Sequence, residues 1–368
     1  MSHPVFEPRC LATTIGSLPH TDVPRGTRVM FECTPEIPAW VQFPKRVWQE
    51  NMMAQFTEGM PGLVQDIDHV YFDTAAPDFV DQLTDFYTRY LAFTEAQDSE
   101  ALESFGLSSQ YAAGFAEFLT QFPEQKTSPV AVKGQVTGPF TLGTNLLDQN
   151  RRCAYYDDQL RDVIIKTVML KAVWQITKLR PLLTDPVQHL MIFLDEPALL
   201  GFGSQTFLTV SREDIINDLN EITTTLHSLG ALVGVHCEAN TDWSLLMETQ
   251  LDILDFDAYD HTQAITLYPT ELRSFLDRGG SLGWGIIPTL DREAAATETV
   301  PSLLTRLEDG LDLLVRKGFD RDLLLQRLLL TPSCGAGGVL TEPLDERVLN
   351  LLRELSLLLR ERHHFLEA

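Results

Sequence analysis

The stretch 231-ALVGVHCE-238 is a short apolar run that ends in three potential ligand side chains. It is one strand long and apolar on both faces, the pattern of a strand buried inside a parallel sheet. Similar runs recur along the chain: 12-ATTIGS-17, 38-PAWVQF-43, 68-DHVYFD-73, 129-PVAVKGQV-136, 190-LMIFLDE-196, 252-DILDFDAY-259, 281-SLGWGII-287 and 327-RLLLTPS-333. Helical patterns separate them. In 211-SREDIINDLNEITTTLHSLG-230, Ser211 reads as the N-cap and Gly230 as the C-terminal stop. The closing stretch 343–362 carries leucines at helical spacing. Strands alternating with helices predict a parallel α/β sheet; closed, it is a (β/α)8 TIM barrel, which needs about 250 residues plus insertions. The open, doubly wound sheet is the alternative, and the absence of a G-x-G-x-x-G turn after an early strand lowers its dinucleotide-binding version. Residues 141–186 read as a helical insertion or long crossover. No Pro/Gly/Ser-rich linker divides the chain, so residues 1–368 are expected to form a single domain.

Composition narrows the function. Hydrophobic residues make up 44% of the 368, ordinary for a globular protein, and no apolar run approaches a membrane span. The N-terminal MSHPVFEPRC has no signal-peptide pattern, so a cytoplasmic location is expected. The 28 basic residues face 52 acidic ones, a net charge of -24, which disfavours nucleic acid and anionic membranes as partners. Five widely spaced cysteines do not suggest a disulfide framework.

In a barrel, function collects at the C-terminal ends of strands, and the unusual residues lie there. The first run ends in Ile15-Gly16-Ser17. The fourth leads into 133-KGQVTGPFTLG-143, a turn with free backbone donors suited to an anionic or polar group. The fifth ends in Asp195-Glu196-Pro197, where one carboxylate is expected to face the mouth as a base or ammonium ligand. Strand alternation puts His236 and Glu238 on one face and Cys237 on the other. The seventh run carries Asp255 and Asp257, and the last places Cys334 on a glycine-rich turn. A His, a Cys and carboxylates from neighbouring strands suit a zinc site, and an open coordination position would make it catalytic.

Taken together, TTIGSLPHT (13–21), KGQVTGPFTL (133–142), LDEPAL (194–199), the His-centred strand end (236–238) and TPSCG (331–335) resemble the catalytic barrel of cobalamin-independent methionine synthase. That barrel shares a superfamily with uroporphyrinogen decarboxylase. The resemblance covers nearly the whole chain in family order. It implies methyl transfer to a zinc-bound small thiol, homocysteine-like, in a single-barrel core form. Ile15, Gly16 and Ser17 would hold the amino acid end of the substrate, and Asp195 its ammonium. His236, Glu238, Asp257 and Cys334 would bind zinc, with Cys237 as the alternative ligand. The donor would be methylcobalamin, a methyl-corrinoid protein or methyltetrahydrofolate.

The chain departs from the family at three places. Glu238 stands where the family has a cysteine. Lys45 and Arg46 bring positive charge where the family has an acid, and suit a substrate carboxylate, sulfonate or phosphate. The family's loop histidine is missing near Gly285. Two rival readings follow: a metal-free decarboxylase using Arg25 and Arg46 as anchors, and a non-catalytic barrel that binds a ligand or corrinoid.

Overall fold

A computed structural model describes residues 5–66, 69–204, 207, 209–238 and 241–366. Nine strands are described: β1 (Leu63–Asp66), β2 (His69–Phe72), β3 (Ala131–Thr137), β4 (Leu147–Asp148), β5 (His189–Asp195), β6 (Leu232–Cys237), β7 (Ile253–Phe256), β8 (Ser281–Ile287) and β9 (Leu328–Pro332). Six form one parallel sheet in the order β3-β5-β6-β7-β8-β9. Both of its edges carry an extended N-terminal segment. Ala12 bridges Leu330 and Ala39 bridges Lys133, both in parallel, and the two segments meet each other where Ser17 bridges Gln42. The backbone bonds Thr13 N–H to Leu330 O (3.0 Å), Lys133 N–H to Pro38 O (3.0 Å) and Gln42 N–H to Gly16 O (3.0 Å) accompany these bridges.

The run at 68–73 is the exception among the expected strands. Its described part, β2, pairs antiparallel with β1 and in parallel with β4, in a separate three-stranded sheet, and Asp68 lies outside the described residues. Apolar content made it look like a core strand. Yet only Phe72 of His69–Phe72 is buried, as befits a hairpin on the surface of the domain.

Helices form where sequence signals place them. Arg212–Ser228 starts at Ser211, whose hydroxyl accepts from Asp214 N–H, and it buries Ile215, Leu219, Ile222 and Leu226 at helical spacing. Gly230 follows with φ +72°, a conformation costly for other residues. Val300–Arg316 opens with a capping box from Thr299 and Ser302 and buries Leu303, Leu307, Leu311 and Leu314. The 141–186 region is the crossover between β3 and β5; its long helix Asp158–Leu179 is buried on most faces, as its lack of amphipathic patterning requires. A longer excursion, between the second extended segment and β3, holds the hairpin and the helices Phe79–Ala96, Ser99–Glu103 and Ala113–Gln121.

The concave side of the sheet is filled near the strands' N-terminal ends. Leu11, Ile37, Ala131, Met191, Phe193, Leu232, Ile253 and Leu329 join Phe6 in one buried cluster. Phe193 occupies the space opposite Gly234, where a Cβ would meet its ring at 2.5 Å. An apolar plug beneath leaves the polar residues at the strands' other ends as the open face of the sheet. Among the described residues, no helix is long and apolar enough to cross a membrane.

Close approach also ties the N-terminal segment to the excursion. A Cβ on Gly114 would lie 1.9 Å from the Val41 carbonyl oxygen. Gly114→Ala must therefore push Ala113–Gln121 away from residues 41–43, and should lower unfolding free energy by about 1–3 kcal/mol. Urea unfolding checks this; an unchanged midpoint would mean that the two elements are not in contact.

Candidate metal centre

In-register pairing builds the site. Asp195 of β5 lies beside His236 of β6, His236 beside Asp255 of β7, and Asp255 beside Gly283 of β8. Paired residues on neighbouring parallel strands project to the same face, so two carboxylates and an imidazole stand in a row. All three are buried. His236 Nδ1 is 2.6 Å from Asp255 Oδ1, whereas its Nε2 is buried without a hydrogen-bond partner. Just past the end of β6, Glu238 hydrogen-bonds the thiol of Cys334. One donor atom each from His236, Glu238 and Cys334 lies within 4.8 Å of the others.

A cavity of about 250 Å³ opens over this cluster. Ile15, Ser17, Gln42, Glu50, Met52, Asp195 and Pro197 line it together with His236, Glu238, Cys334 and Gly335. The loop carrying Cys334 is fastened on two sides. Thr289 Oγ1 accepts from Cys334 N–H (3.0 Å) and donates to its carbonyl (2.9 Å), in the region where no histidine stands. Ser17 O accepts from Ala336 N–H at 3.0 Å, and a Cβ on Gly335 would lie 2.2 Å from Ser17 Oγ. Gly16 has φ +137°, and a Cβ there would meet Gln135 at 2.7 Å. Ile15 and Ser17 thus line the cavity, and glycine between them is required for the backbone to pass Gln135.

The two adjacent acids divide their tasks. Asp195 lines the cavity, and its Oδ1 has no partner. Glu196 turns the other way and accepts from Phe140 N–H (3.0 Å), Thr141 N–H (2.7 Å) and Thr141 Oγ1 (2.6 Å). The expected anion cradle in 133–143 is therefore filled by the chain's own Glu196.

Four further expectations are corrected. Asp257 is not among the gathered donors: β7 ends at Phe256, and Asp257 caps Ala258–Ile265 by accepting from Asp260 N–H at 3.0 Å. The strand stops one residue too soon for it. Cys237 is fully buried in the main core on the opposite face from His236. Lys45 donates to Leu340 O at 2.6 Å, and Arg46 pairs with Glu50 at 2.9 Å, so neither points an anion-binding head into the cavity. Arg25, the other decarboxylase anchor, pairs with Glu346. No lysine or arginine is among the described residues lining the cavity.

Two participants escaped the sequence reading. Glu50 is a buried acid that lines the cavity and whose other oxygen accepts from Ala113 N–H. Nothing local distinguishes it from a surface glutamate. Lys133 is fully buried beneath the site; its Nζ donates to Ile15 O at 2.7 Å and to Gln135 Oε1 at 3.3 Å, and lies 4.5 Å from the Phe193 ring centre. A lysine in the middle of an apolar strand was the available signal.

Burial shifts these groups, and neighbouring charges push back. It lowers Lys133 to about 8, against the pull of Asp195 and Asp255. It raises Asp195 to about 6, with Lys133 and His236 opposing. Burial would lower His236, but the hydrogen bond and charge of Asp255, then Asp195 and Glu238, turn the net shift upward. Burial and then the Glu238 carboxylate push the Cys334 thiol well above its ordinary value.

The fold is thus a mixed α/β structure around a curled parallel sheet, with a cluster of N, O and S donors at the strand ends. No protein-family model matches the chain, and no curated protein does. A solved structure titled "A Glycoside Hydrolase Family 20 beta-N-Acetylglucosaminidase" aligns with it at a TM-score of 0.35 and 11% identity, over 66% of this chain and 54% of that one. The aligned part of this chain spans about half the length of that protein.

Opposite outcomes are expected for the two neighbouring acids. Glu196→Ala strands three buried donors and should cost on the order of 3 kcal/mol. Asp195 has a folded pKa of about 6, above the ordinary 3.8. The folded chain then holds more protons than the unfolded one, so stability falls as pH rises between those values. Asp195→Asn removes that loss. Its urea midpoint should exceed that of wild type above about pH 6 and converge with it near the ordinary 3.8. Destabilisation by Asp195→Asn at neutral pH would show that Asp195 has a structural partner.

Proposed function

We propose that the chain is a (β/α)8 barrel enzyme that holds a zinc-like divalent cation and transfers a methyl group to a small thiol. The eight parallel segments would be the two N-terminal extended segments, β3 and β5 to β9. The bridges Ala12–Leu330, Ser17–Gln42 and Ala39–Lys133 support closure. The observation that carries the functional reading is the convergence of His236, Glu238 and Cys334, with the His236 Nε2 left without a hydrogen-bond partner.

The donor chemistry suits zinc. Imidazole, carboxylate and thiolate are its ordinary ligands, and three protein ligands leave a fourth position for substrate. When bound, such a cation lowers the pKa of a coordinated thiol and so supplies a thiolate at neutral pH. Its charge would also reverse the effect of Glu238 on Cys334. Without a cation, that carboxylate opposes ionisation of the thiol, so a metal-free nucleophilic Cys334 is the poorer reading.

The chain's own residues supply orientation. Asp195, with an oxygen lacking a partner, accepts a substrate ammonium. Glu50 adds a second carboxylate to the same cavity. Ser17 and the 335–338 backbone form the wall opposite. Holding the acceptor sulfur at one end and its ammonium at the other favours a single approach to the methyl group. Among the described residues that line the cavity none is cationic, which weighs against a polycarboxylate substrate and hence against the decarboxylase reading. Methylcobalamin, a corrinoid protein or methyltetrahydrofolate would act as donor, and a cytoplasmic setting fits this chemistry.

Metal analysis tests the reading. Purified wild-type protein loaded with zinc should retain close to one equivalent after desalting, and His236→Ala and Cys334→Ser should each lose it. Wild-type protein with zinc should then methylate homocysteine from methylcobalamin, and Asp195→Ala should reduce kcat/KM by about 10²-fold or more. Failure of wild type to retain zinc would overturn the metal site. Zinc retention without turnover on any small thiol would overturn the methyltransferase reading.

A further inference from the structure

The two nitrogens of His236 have unlike surroundings. Nδ1 meets Asp255 at 2.6 Å, and Nε2 meets no partner. A carboxylate accepts a hydrogen bond, so the ring proton belongs on Nδ1, which leaves the lone pair on Nε2, the nitrogen without a partner. Asp255 is itself fully buried, and its second oxygen, Oδ2, has no hydrogen-bond partner. A carboxylate in such a place needs room and a counter-charge. Room comes from the next strand: Gly283 lies in register with Asp255, and a Cβ there would be 2.1 Å from Oδ2 and 2.6 Å from the Asp255 Cβ. The counter-charge comes from Lys133, on which Asp255 and Asp195 both act.

We propose that Asp255, seated in the gap left by Gly283, is a positioning residue that fixes His236 in its Nδ1–H form and keeps Nε2 available as a donor atom. Asp255 does not join the donor cluster; it acts through the histidine. A carboxylate behind a ligating imidazole sets its tautomer and ring orientation and strengthens it as a ligand. Asp257, two residues further along, is held in a helix cap and does not duplicate this role. The consequence for metal affinity rests on the metal reading given above, whereas the tautomer assignment does not.

Two measurements test the proposal separately. In metal-free protein labelled with ¹⁵N-histidine, in alkaline buffer, the ring resonances removed by His236→Asn should show protonated Nδ1 in wild type. Asp255→Asn keeps the shape and an acceptor oxygen and should retain that form; Asp255→Ala should lose it. An Nε2–H ring in wild type overturns the proposal. Zinc affinity is then measured by chelator competition, with thermal unfolding recorded in parallel to confirm folded variants. Asp255→Ala should weaken binding about 10–100-fold, and Asp255→Asn less. Gly283→Ala should weaken it as well, by displacing the carboxylate. The double variant Asp255→Ala/Gly283→Ala should be no weaker than Asp255→Ala alone, because both act through one group. Affinity within about twofold of wild type in Asp255→Ala, or additive losses in the double variant, overturns the positioning role. An Nδ1–H ring in a wild-type protein that takes no zinc would sink the metal reading while leaving the tautomer assignment intact.

Discussion

Parallel register sets Asp195, His236 and Asp255 side by side at the C-terminal edge of the sheet, on the face that the apolar plug fills below. Three ionisable groups in a row inside a protein are costly unless each finds a partner. Their environment answers that constraint in several ways. Asp255 takes the proton-bearing side of His236, Gly283 gives it room, and Lys133 places a buried positive charge below the row. Of the row's atoms without a hydrogen-bond partner, His236 Nε2 and Asp195 Oδ1 belong to residues that line the cavity, and Asp255 Oδ2 lies behind them in the gap at Gly283.

The same economy explains how residues of one chemical type split their roles. Asp195 and Glu196 are adjacent, and a strand sends neighbours to opposite faces. One reaches the cavity and the other caps the turn at 140–141, which anchors the end of β5 to the helix after β3. Arg46 and Glu50 show the same sorting at four residues' separation. The cation turns onto the acid, and it is the acid that borders the cavity. Positive charge near the site in sequence therefore does not become positive charge in the site.

Much of the architecture was legible because it is written locally. Runs apolar on both faces mark the buried parallel strands, and Ser211 and Gly230 mark the ends of one helix through bonds made within a few residues. The run at 68–73 misled because apolar content does not reveal how many of a strand's neighbours will cover it. Of the site, Ser17, Asp195, His236, Glu238 and Cys334 were recognisable as unusual polar residues at strand ends, and all five line one cavity. Asp257 failed as a partner through a shift of a single residue in where β7 stops.

The sequence by itself determined the alternation of strands and helices, the positions of their caps and the set of residue types available at the strand ends. These depend on periodicity and on short-range hydrogen bonds. Only the tertiary structure decided that Asp255 rather than Asp257 stands behind His236, that Glu196 fills the 138–141 turn, and that Glu50 and Lys133 belong to the site. The first two turn on register between strands and on the space that a missing Cβ leaves at Gly283 and Gly138, the last on the fold bringing Glu50 to the cavity and Lys133 beneath it; all are set by neighbours distant in the chain.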